Sequence, residues 1–224
     1  QKELLQRERL ATVGHLSAQI THELRNPLTS IGLNSELLME ELDEGHVPDD
    51  TLGRARPLLE SITKEVERLR EITEEYLRFA RLPRPERVSV DLNRVAAELV
   101  EFVRSEMEQA GARVRVDPDP SARPARVDPN QVRAALLNLV RNAREAVADG
   151  GHVVVRVRTL GDRAAVTVED DGPGLPPELI DRIFEPFFTT KPQGTGLGLP
   201  MVRKIAQAQN GDVRVASHPG KGTQ

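Results

Sequence analysis

The sequence predicts two modules of different class, an all-α helical hairpin that pairs with a second copy into a dimeric four-helix bundle, followed by an α/β sandwich. Three observations carry that prediction. Apolar or small residues recur at 3-4 spacing over Leu10, Val13, Ser17, Ile20, Leu24, Ile31 and Leu38, and again over Leu59, Ile62, Val66, Leu69, Thr73, Tyr76 and Ala80. Each series marks an amphipathic helix. Two prolines in Leu82-Pro83-Arg84-Pro85-Glu86 then end the second helix and make a short, stiff connector. Beyond them, helical and strand-like patterns alternate, as in layered α/β domains. At 224 residues the chain exceeds the usual single-domain size, and a division into 1–84 and 85–224 is expected.

Taken in order, the first helical pattern is already under way at Gln1, and the hairpin turn falls near Glu44 to Asp50. Pro57 either kinks the second helix or marks its true start. A hairpin with a continuous apolar stripe needs a partner, and a second copy of itself satisfies that need. After the connector, Arg87 to Val90 reads as a strand, Leu92 to Gln109 as a helix and Ala112 to Val116 as a strand. Asp128-Pro129 supplies an N-cap and a first-turn proline to a helix reaching Ala148, with Val132, Leu136, Leu139, Ala143 and Val147 as its buried stripe. The alternating runs Val153 to Arg158 and Ala164 to Glu169 flank a Gly161-Asp162 turn. A helical run covers Pro200 to Ala208, Asp212 to Ser217 reads as a further strand, and Pro219 to Thr223 as a turn.

Chemistry concentrates first in Thr21-His22-Glu23-Leu24-Arg25-Asn26-Pro27-Leu28. At about 100° per residue, His22 lies roughly 200° from both Ile20 and Leu24, so its imidazole points away from the stripe. Asn26, four residues on, shares that face. Glu23 is displaced by about a quarter turn, within reach of an imidazole nitrogen or a water. Pro27 removes the amide that would bond the Glu23 carbonyl, which predicts a bend beside the histidine. Taken alone, His22 is an ordinary exposed histidine, as His15 on nearly the same face is. A zinc site of the H-E-x-x-H kind is excluded, because Asn26 stands where the second histidine belongs.

The second concentration lies near the far end. Asp170-Asp171-Gly172-Pro173-Gly174 and Gly194-Thr195-Gly196-Leu197-Gly198 are glycine runs that let backbone amides approach phosphate oxygens, and the second also opens a helix. Each alone reads first as a turn, and neither has the spacing of a P-loop or a dinucleotide fingerprint. Between them, Ile183-Phe184-Glu185-Pro186-Phe187-Phe188-Thr189-Thr190-Lys191 holds three of the chain's five phenylalanines. That segment is either ordinary core with a surface lysine or a lid docked on its own aromatic anchors. Asn138 and Asn142, one turn apart on the helix after Asp128, are unfavourable enough in a helix interior to suggest a ligand, and amide oxygens suit a hard cation such as Mg2+.

With these residues in this order, the chain resembles the transmitter region of a sensor histidine kinase of a two-component system. Within that family it is similar to the nitrogen-regulation and zinc-responsive subgroup, which shares the wording Pro186-Phe187-Phe188-Thr189-Thr190-Lys191. His22-Glu23-x-x-Asn26-Pro27 resembles the H box, Asn138-x-x-x-Asn142 the N box, Asp170-x-Gly172-x-Gly174 the first glycine box, Phe184 to Phe188 the F box, and Gly194-x-Gly196-x-Gly198 the second glycine box. The resemblance implies a GHKL/Bergerat-type ATP-binding domain over 85–224 and a dimerisation and phosphotransfer domain over 1–84. His22 is then the phosphoacceptor, Glu23 its general base, and Asn26 the residue that orients water for dephosphorylation of a response regulator. ATP and Mg2+ are the implied cofactors, with Asn142 and Asn138 at the metal and Asp170 at the adenine amino group. Gly172, Gly174, Thr190, Lys191, Gly194, Thr195, Gly196, Leu197 and Gly198 complete the nucleotide site. The implied partners are a second copy of the chain and the receiver domain of a cognate response regulator.

Two departures stand beside the resemblance. Many relatives carry a basic residue near the phosphates three positions after the magnesium asparagine, whereas this chain has Glu145 there, with Arg141 and Arg144 adjacent. The family also has one more strand after the Pro219 to Thr223 turn, and the sequence as given stops at Gln224, so the second domain is expected to lack it and to expose a sheet edge.

Composition excludes several classes. A net charge of -4 without a long basic run gives no support to nucleic-acid binding. With no cysteine, neither a disulfide nor a thiolate metal site is available. No stretch approaches the roughly 20 apolar residues of a membrane span. The resemblance implies a cytoplasmic location, any membrane anchor being supplied by segments outside this chain. A chaperone or repair ATPase would share the nucleotide boxes but has no use for the H box on a dimerising helix. A degenerate scaffold would be expected to lose Asn142 or Asp170.

Overall fold

The structure, a computed structural model, describes residues 24–40, 51–191 and 194–224. The chain divides into two compact units, Gln1–Arg81 and Leu82–Gln224.

In the first unit, helix α1 covers 24–40 and helix α2 spans Thr51–Ala80. Pro57 lies inside α2, so it does not mark the start; the helix forgoes one backbone bond there and continues. Leu24, Ile31 and Leu38 of the expected stripe are half-buried on α1. Asn34 on the same helix donates through Nδ2 to Ser61 Oγ of α2 at 3.1 Å, and lies 3.4 Å from Ser30 Oγ. This directional contact breaks if one helix slides along the other. On α2 the packed edge runs through Ala55, Ile62, Leu69, Ile72, Tyr76 and Phe79, a stripe turned from the expected one. Ala55, Ile72 and Phe79 are buried, whereas Leu59 and Val66 are 50% and 53% exposed. One neighbouring helix covers one flank of a broad apolar face, and Leu28, Leu33 and Leu77 remain exposed with Leu59 and Val66. The hairpin turn and the stripe ahead of Leu24 lie outside the described residues.

The second unit runs β1 (Val88–Val90), α3 (Leu92–Gln109), β2 (Arg113–Asp117), β3 (Ala125–Val127), α4 (Pro129–Ala146), β4 (His152–Leu160), β5 (Arg163–Asp170), a single turn α5 (Pro177–Ile180) and α6 (Gly198–Ala208). Strand β4 pairs parallel with β2 and antiparallel with β5, and β1 pairs antiparallel with β3. Helix α3 starts on Asp91, whose carboxylate accepts the Asn93 amide at 2.9 Å. Its Val95, Ala96, Leu99, Val100, Val103 and Met107 pack on Val153, Val155 and Val157 of β4, forming the core with Leu136 and Val140 of α4. The alternate β4 side chains face the other way. There Arg156 pairs with Asp117 at 2.5 Å and with Glu169 at 2.7 Å.

Helix α4 begins as expected on Asp128, which accepts the amides of Asn130 at 2.9 Å and Gln131 at 3.2 Å. Its buried side chains are Gln131, Leu136, Val140 and Ala143, with Val132, Leu139 and Val147 half-buried. Val140 therefore takes the central place expected of Leu139, because α4 packs against α3, β5 and α6 together and a single stripe is too narrow for three neighbours. Gln131 Nε2 donates to the Pro83 carbonyl at 2.9 Å and Gln131 Oε1 accepts from Gln209 Nε2 at 2.8 Å. Gln209 Oε1 in turn accepts the Asp128 amide at 2.9 Å, so these amide side chains tie the connector to α4 and to the end of α6.

Two expectations change. Asp212 to Ser217 forms no ladder; Ser217 makes a single bridge to Thr223, which also bridges Asp170 at the end of β5. Strand β3, absent from the sequence reading, is three residues long and exists through its pairing with β1. Among the described residues no helix is long and apolar enough to cross a membrane.

The loop after β2 carries a pH-sensitive restraint. Asp119 accepts the Ser121 amide at 2.9 Å, the Ser121 hydroxyl at 2.6 Å and the Thr159 amide at 2.8 Å, which hold its carboxyl down at about 2. A depressed carboxyl stabilises the fold fully above its unfolded pKa of about 3.9, and the contribution fades as pH falls toward the folded value. Asp119→Asn, which cannot titrate, is therefore expected to lower the melting temperature near neutrality. It is also expected to reduce the loss of melting temperature between about pH 4 and pH 2. Thermal melts followed by circular dichroism across that range check this, and an unchanged slope contradicts it.

Candidate phosphoacceptor face and nucleotide cleft

His22 and Glu23 lie outside the described residues, as does the expected bend beside them. Asn26 is exposed in the first turn of the described part of α1, and the Pro27 ring next to it is fully buried. The amide of Asn26 is thus open to solvent on a helix pinned by its neighbouring residue.

In the second unit, two groups of the expected residues come together. The first gathers at the end of β5. Asp170 is 9% exposed and its Oδ1 accepts the Gly172 amide at 3.0 Å. Burial pushes the Asp170 carboxyl up from the usual carboxylate range, against the lowering effect of the Gly172 and Thr223 amides. Asp171 is different. Its carboxylate is half exposed and accepts the His152 amide at 2.8 Å, with His152 Nδ1 at 3.1 Å, and these contacts lower its pKa. Gly172 brings the chain against α4, for a Cβ there would stand 2.9 Å from the Ala146 carbonyl oxygen. The backbone of Gly174 lies against the His218 and Gly222 carbonyls.

The second group gathers around the middle of α4. Asn138 and Asn142 are both half-buried, one turn apart. Lys191 Nζ lies 3.4 Å from Asn142 Oδ1 and forms an ion pair with Glu145. A Cβ on Gly198 would lie 3.9 Å from Asn142 Nδ2, so α6 starts beside this asparagine. Leu197, at the N-cap of α6, has no side chain able to satisfy the first amides of the helix. Thr195 Oγ1 accepts the Leu197 amide at 3.3 Å, Gly194 donates its amide to the Lys191 carbonyl at 3.1 Å, and Thr190 is exposed.

The segment joining the groups is anchored by its aromatic residues. Phe184 is buried with the Arg203 guanidinium 3.9 Å from its ring centre, and Arg182 lies 4.2 Å from that of Phe188. Phe187 adopts φ 65°, an uncommon state for a side chain of this size, and donates its amide to the Gly196 carbonyl at 3.0 Å. A Cβ on Gly196, itself at φ 65°, would stand 2.4 Å from the Phe187 carbonyl carbon. The two glycine-box and F-box backbones can approach this closely only with glycine at that position.

The basic residues on α4 point elsewhere. Arg144 pairs with Glu106 of α3 at 2.5 Å, and Arg141 approaches the same carboxylate at 3.7 Å. Lys191, reaching over from the aromatic segment, is the cation beside Asn142. The pairing of Glu145 with Lys191 escaped the sequence reading, since no local signal links residues 46 positions apart. An amide oxygen already beside an ammonium is a fitting ligand for a hard cation, so the donor set suits Mg2+.

Residues 12–85 match the family described as His Kinase A (phospho-acceptor) domain, and residues 127–224 match the family of histidine kinase-, DNA gyrase B- and HSP90-like ATPases. Sensor histidine kinase ZraS of Escherichia coli K12 is 32% identical over 223 residues, which make up 100% of this chain and 46% of that protein. Signal transduction histidine-protein kinase AtoS of the same organism is 35% identical over 99% of this chain and 35% of its own length. The chain spans less than half the length of these curated relatives. Among solved structures, histidine kinase ThkA in complex with response regulator protein TrrA has a TM-score of 0.74 at 27% identity, covering 97% of this chain and 61% of that one. Full-length ShkA in complex with AMPPNP has a TM-score of 0.65 at 26% identity, covering 92% and 43%. With both domain families in tandem and full-length relatives of one kind, the chain belongs to the sensor histidine kinases, of which it is a transmitter region.

Proposed function

We propose that this chain is an ATP-dependent protein-histidine autokinase that passes its phosphoryl group to an aspartate of a response regulator and also dephosphorylates that regulator. The observation that carries the reading is the convergence of Asn142, Lys191 and the start of α6 on one side of α4, with buried Asp170 at the end of β5. The division of labour follows the two domains, 1–84 for dimerisation and phosphotransfer and 85–224 for nucleotide binding.

Asp170 accepts the adenine amino group, a choice of acceptor that favours ATP over GTP. Its neighbour Asp171 is already committed to His152, which supports Asp170 in this role. The amides of Gly194, Thr195, Gly196, Leu197 and Gly198, with the N-terminus of α6, take the phosphates. Gly172 and Gly174 shape the base end, while Thr190 and Lys191 approach the phosphates from the aromatic segment. Asn142 and Asn138 hold Mg2+, which neutralises charge on the phosphates when bound. A neutral His22 imidazole attacks the γ-phosphorus in line, forming a P–N bond as the bond to the bridging oxygen breaks and ADP leaves. Glu23 accepts the proton released from the other ring nitrogen. The exposed apolar flank of Leu59, Val66 and Leu77 on α2, with Leu28 exposed on α1, supports a homodimer, in which a second hairpin covers it. The receiver domain of a response regulator docks on the face that carries Asn26. A cytoplasmic location fits an ATP-consuming module.

Incubation with γ-labelled ATP and Mg2+ is expected to give an acid-labile, alkali-stable phosphoprotein. His22→Gln is expected to abolish the label while leaving nucleotide affinity within about twofold of wild type, since histidine and cleft belong to different domains. Equal loss of nucleotide binding contradicts the two-domain assignment.

Asn26 can hold a water without becoming a competing nucleophile. Asn26→Ala is expected to retain most of the autokinase rate but to slow regulator dephosphorylation by about a hundredfold. Decay of a phosphorylated cognate regulator, with and without the variant in the presence of Mg2+ and nucleotide, measures this. Undiminished acceleration would leave Asn26 a helix-surface residue.

A further inference from the structure

We propose that Glu145 makes nucleotide binding depend on a divalent cation. Its carboxylate holds the Lys191 ammonium beside Asn142 in this structure, and Mg2+ arriving with the nucleotide takes over the neutralising role and releases Lys191 toward the phosphates. The inference rests on the nucleotide-cleft reading above and deepens it.

Three observations lead here. First, Lys191 Nζ stands between Asn142 Oδ1, at 3.4 Å, and the Glu145 carboxylate, two oxygens three residues apart on one face of α4. A compact cation already occupies the place where an amide oxygen and a carboxylate face each other. A hard divalent cation prefers such oxygens and keeps water in its remaining positions, so Glu145 can act on it through a bound water. Second, Glu145 has a cationic neighbour besides Lys191, on its own helix. Its other oxygen lies 3.8 Å from Arg144, which is fixed by Glu106 at 2.5 Å. When Lys191 leaves, the negative charge remains three residues from Asn142 on the same helix.

Third, the lysine side chain is exchangeable while its backbone is anchored. Both partners of the ion pair are 42% exposed, which makes the pair weak and readily broken. The Lys191 amide donates to Thr189 Oγ1 at 3.1 Å and its carbonyl accepts from Gly194 at 3.1 Å, so the side chain can turn without moving its attachment. A metal-free nucleotide must therefore compete with Glu145 for Lys191 and also tolerate a nearby carboxylate. Nucleotide carrying Mg2+ meets neither penalty. Glu145 is a positioning residue in this scheme, and its effect is selection of the metal-bound nucleotide.

The test is calorimetric titration of the whole chain with AMPPNP, once in excess Mg2+ and once in EDTA. Glu145→Gln is expected to raise the affinity in EDTA by about tenfold, the effect of removing one partly screened like charge, and so to shrink the ratio of the two affinities. Adding Lys191→Met to that variant is expected to cancel the gain in EDTA, because the freed lysine supplies part of it. If Glu145→Gln binds AMPPNP with an unchanged ratio, the inference is overturned and the cleft reading stands. If the wild-type chain binds AMPPNP in neither condition, the cleft reading itself fails.

Discussion

The register between β4 and β5 is the constraint on which the rest of the second unit depends. Val153 pairs with Asp170 and Leu160 with Arg163, and the side chains of directly opposed residues share a face. Val153, Val155 and Val157 are completely buried, so the core selects this pairing; a slip of one residue would put Arg156 where Val155 or Val157 packs. Asp170, opposite Val153 at the end of the ladder, is thereby carried onto the helix-covered face. Its burial and its raised pKa are consequences of valine packing. The same alternation delivers Arg156 and Arg158 to the opposite face, where Asp117 accepts both at 2.5 Å and 2.6 Å.

Much of this architecture was legible in the sequence because it is written in local, periodic signals. Helix α3 appears over the expected Leu92–Gln109, with an aspartate before it to take the cap. Asp128-Pro129 opens α4 for the reasons of capping and backbone geometry that any helix start obeys. What the sequence hid depends on residues far apart. A three-residue strand such as β3 cannot display an alternation, and its pairing with β1 spans some forty residues. The run after Asp212 does alternate, yet a strand also needs a ladder of partners, and here Ala216 and Ser217 at its end pair with Gln224 and Thr223. On α2, spacing identified a broad apolar face but could not say which flank α1 would cover.

The candidate site divides along the same line. The asparagines were visible as types poorly suited to a helix interior, and the glycines as types that let the backbone approach a phosphate, informative only in combination. The partner of Glu145 was not. In sequence Glu145 looked like a missing basic residue, whereas in space it pairs with Lys191, on a segment held by Phe184 and the left-handed Phe187. The cation beside Asn142 comes from a neighbouring element, which leaves no trace in local spacing.

Tyr76 gives the molecule an optical asymmetry. It is the chain's one tyrosine, there is no tryptophan, and it sits half-buried on α2. Tyrosine emission therefore originates wholly in the helical hairpin, while the larger α/β unit is silent at those wavelengths. Far-ultraviolet dichroism, in contrast, sums the backbone of both. Comparing the two signals along one denaturant titration separates the unfolding of the hairpin from that of its neighbour without cutting the chain or adding a dye.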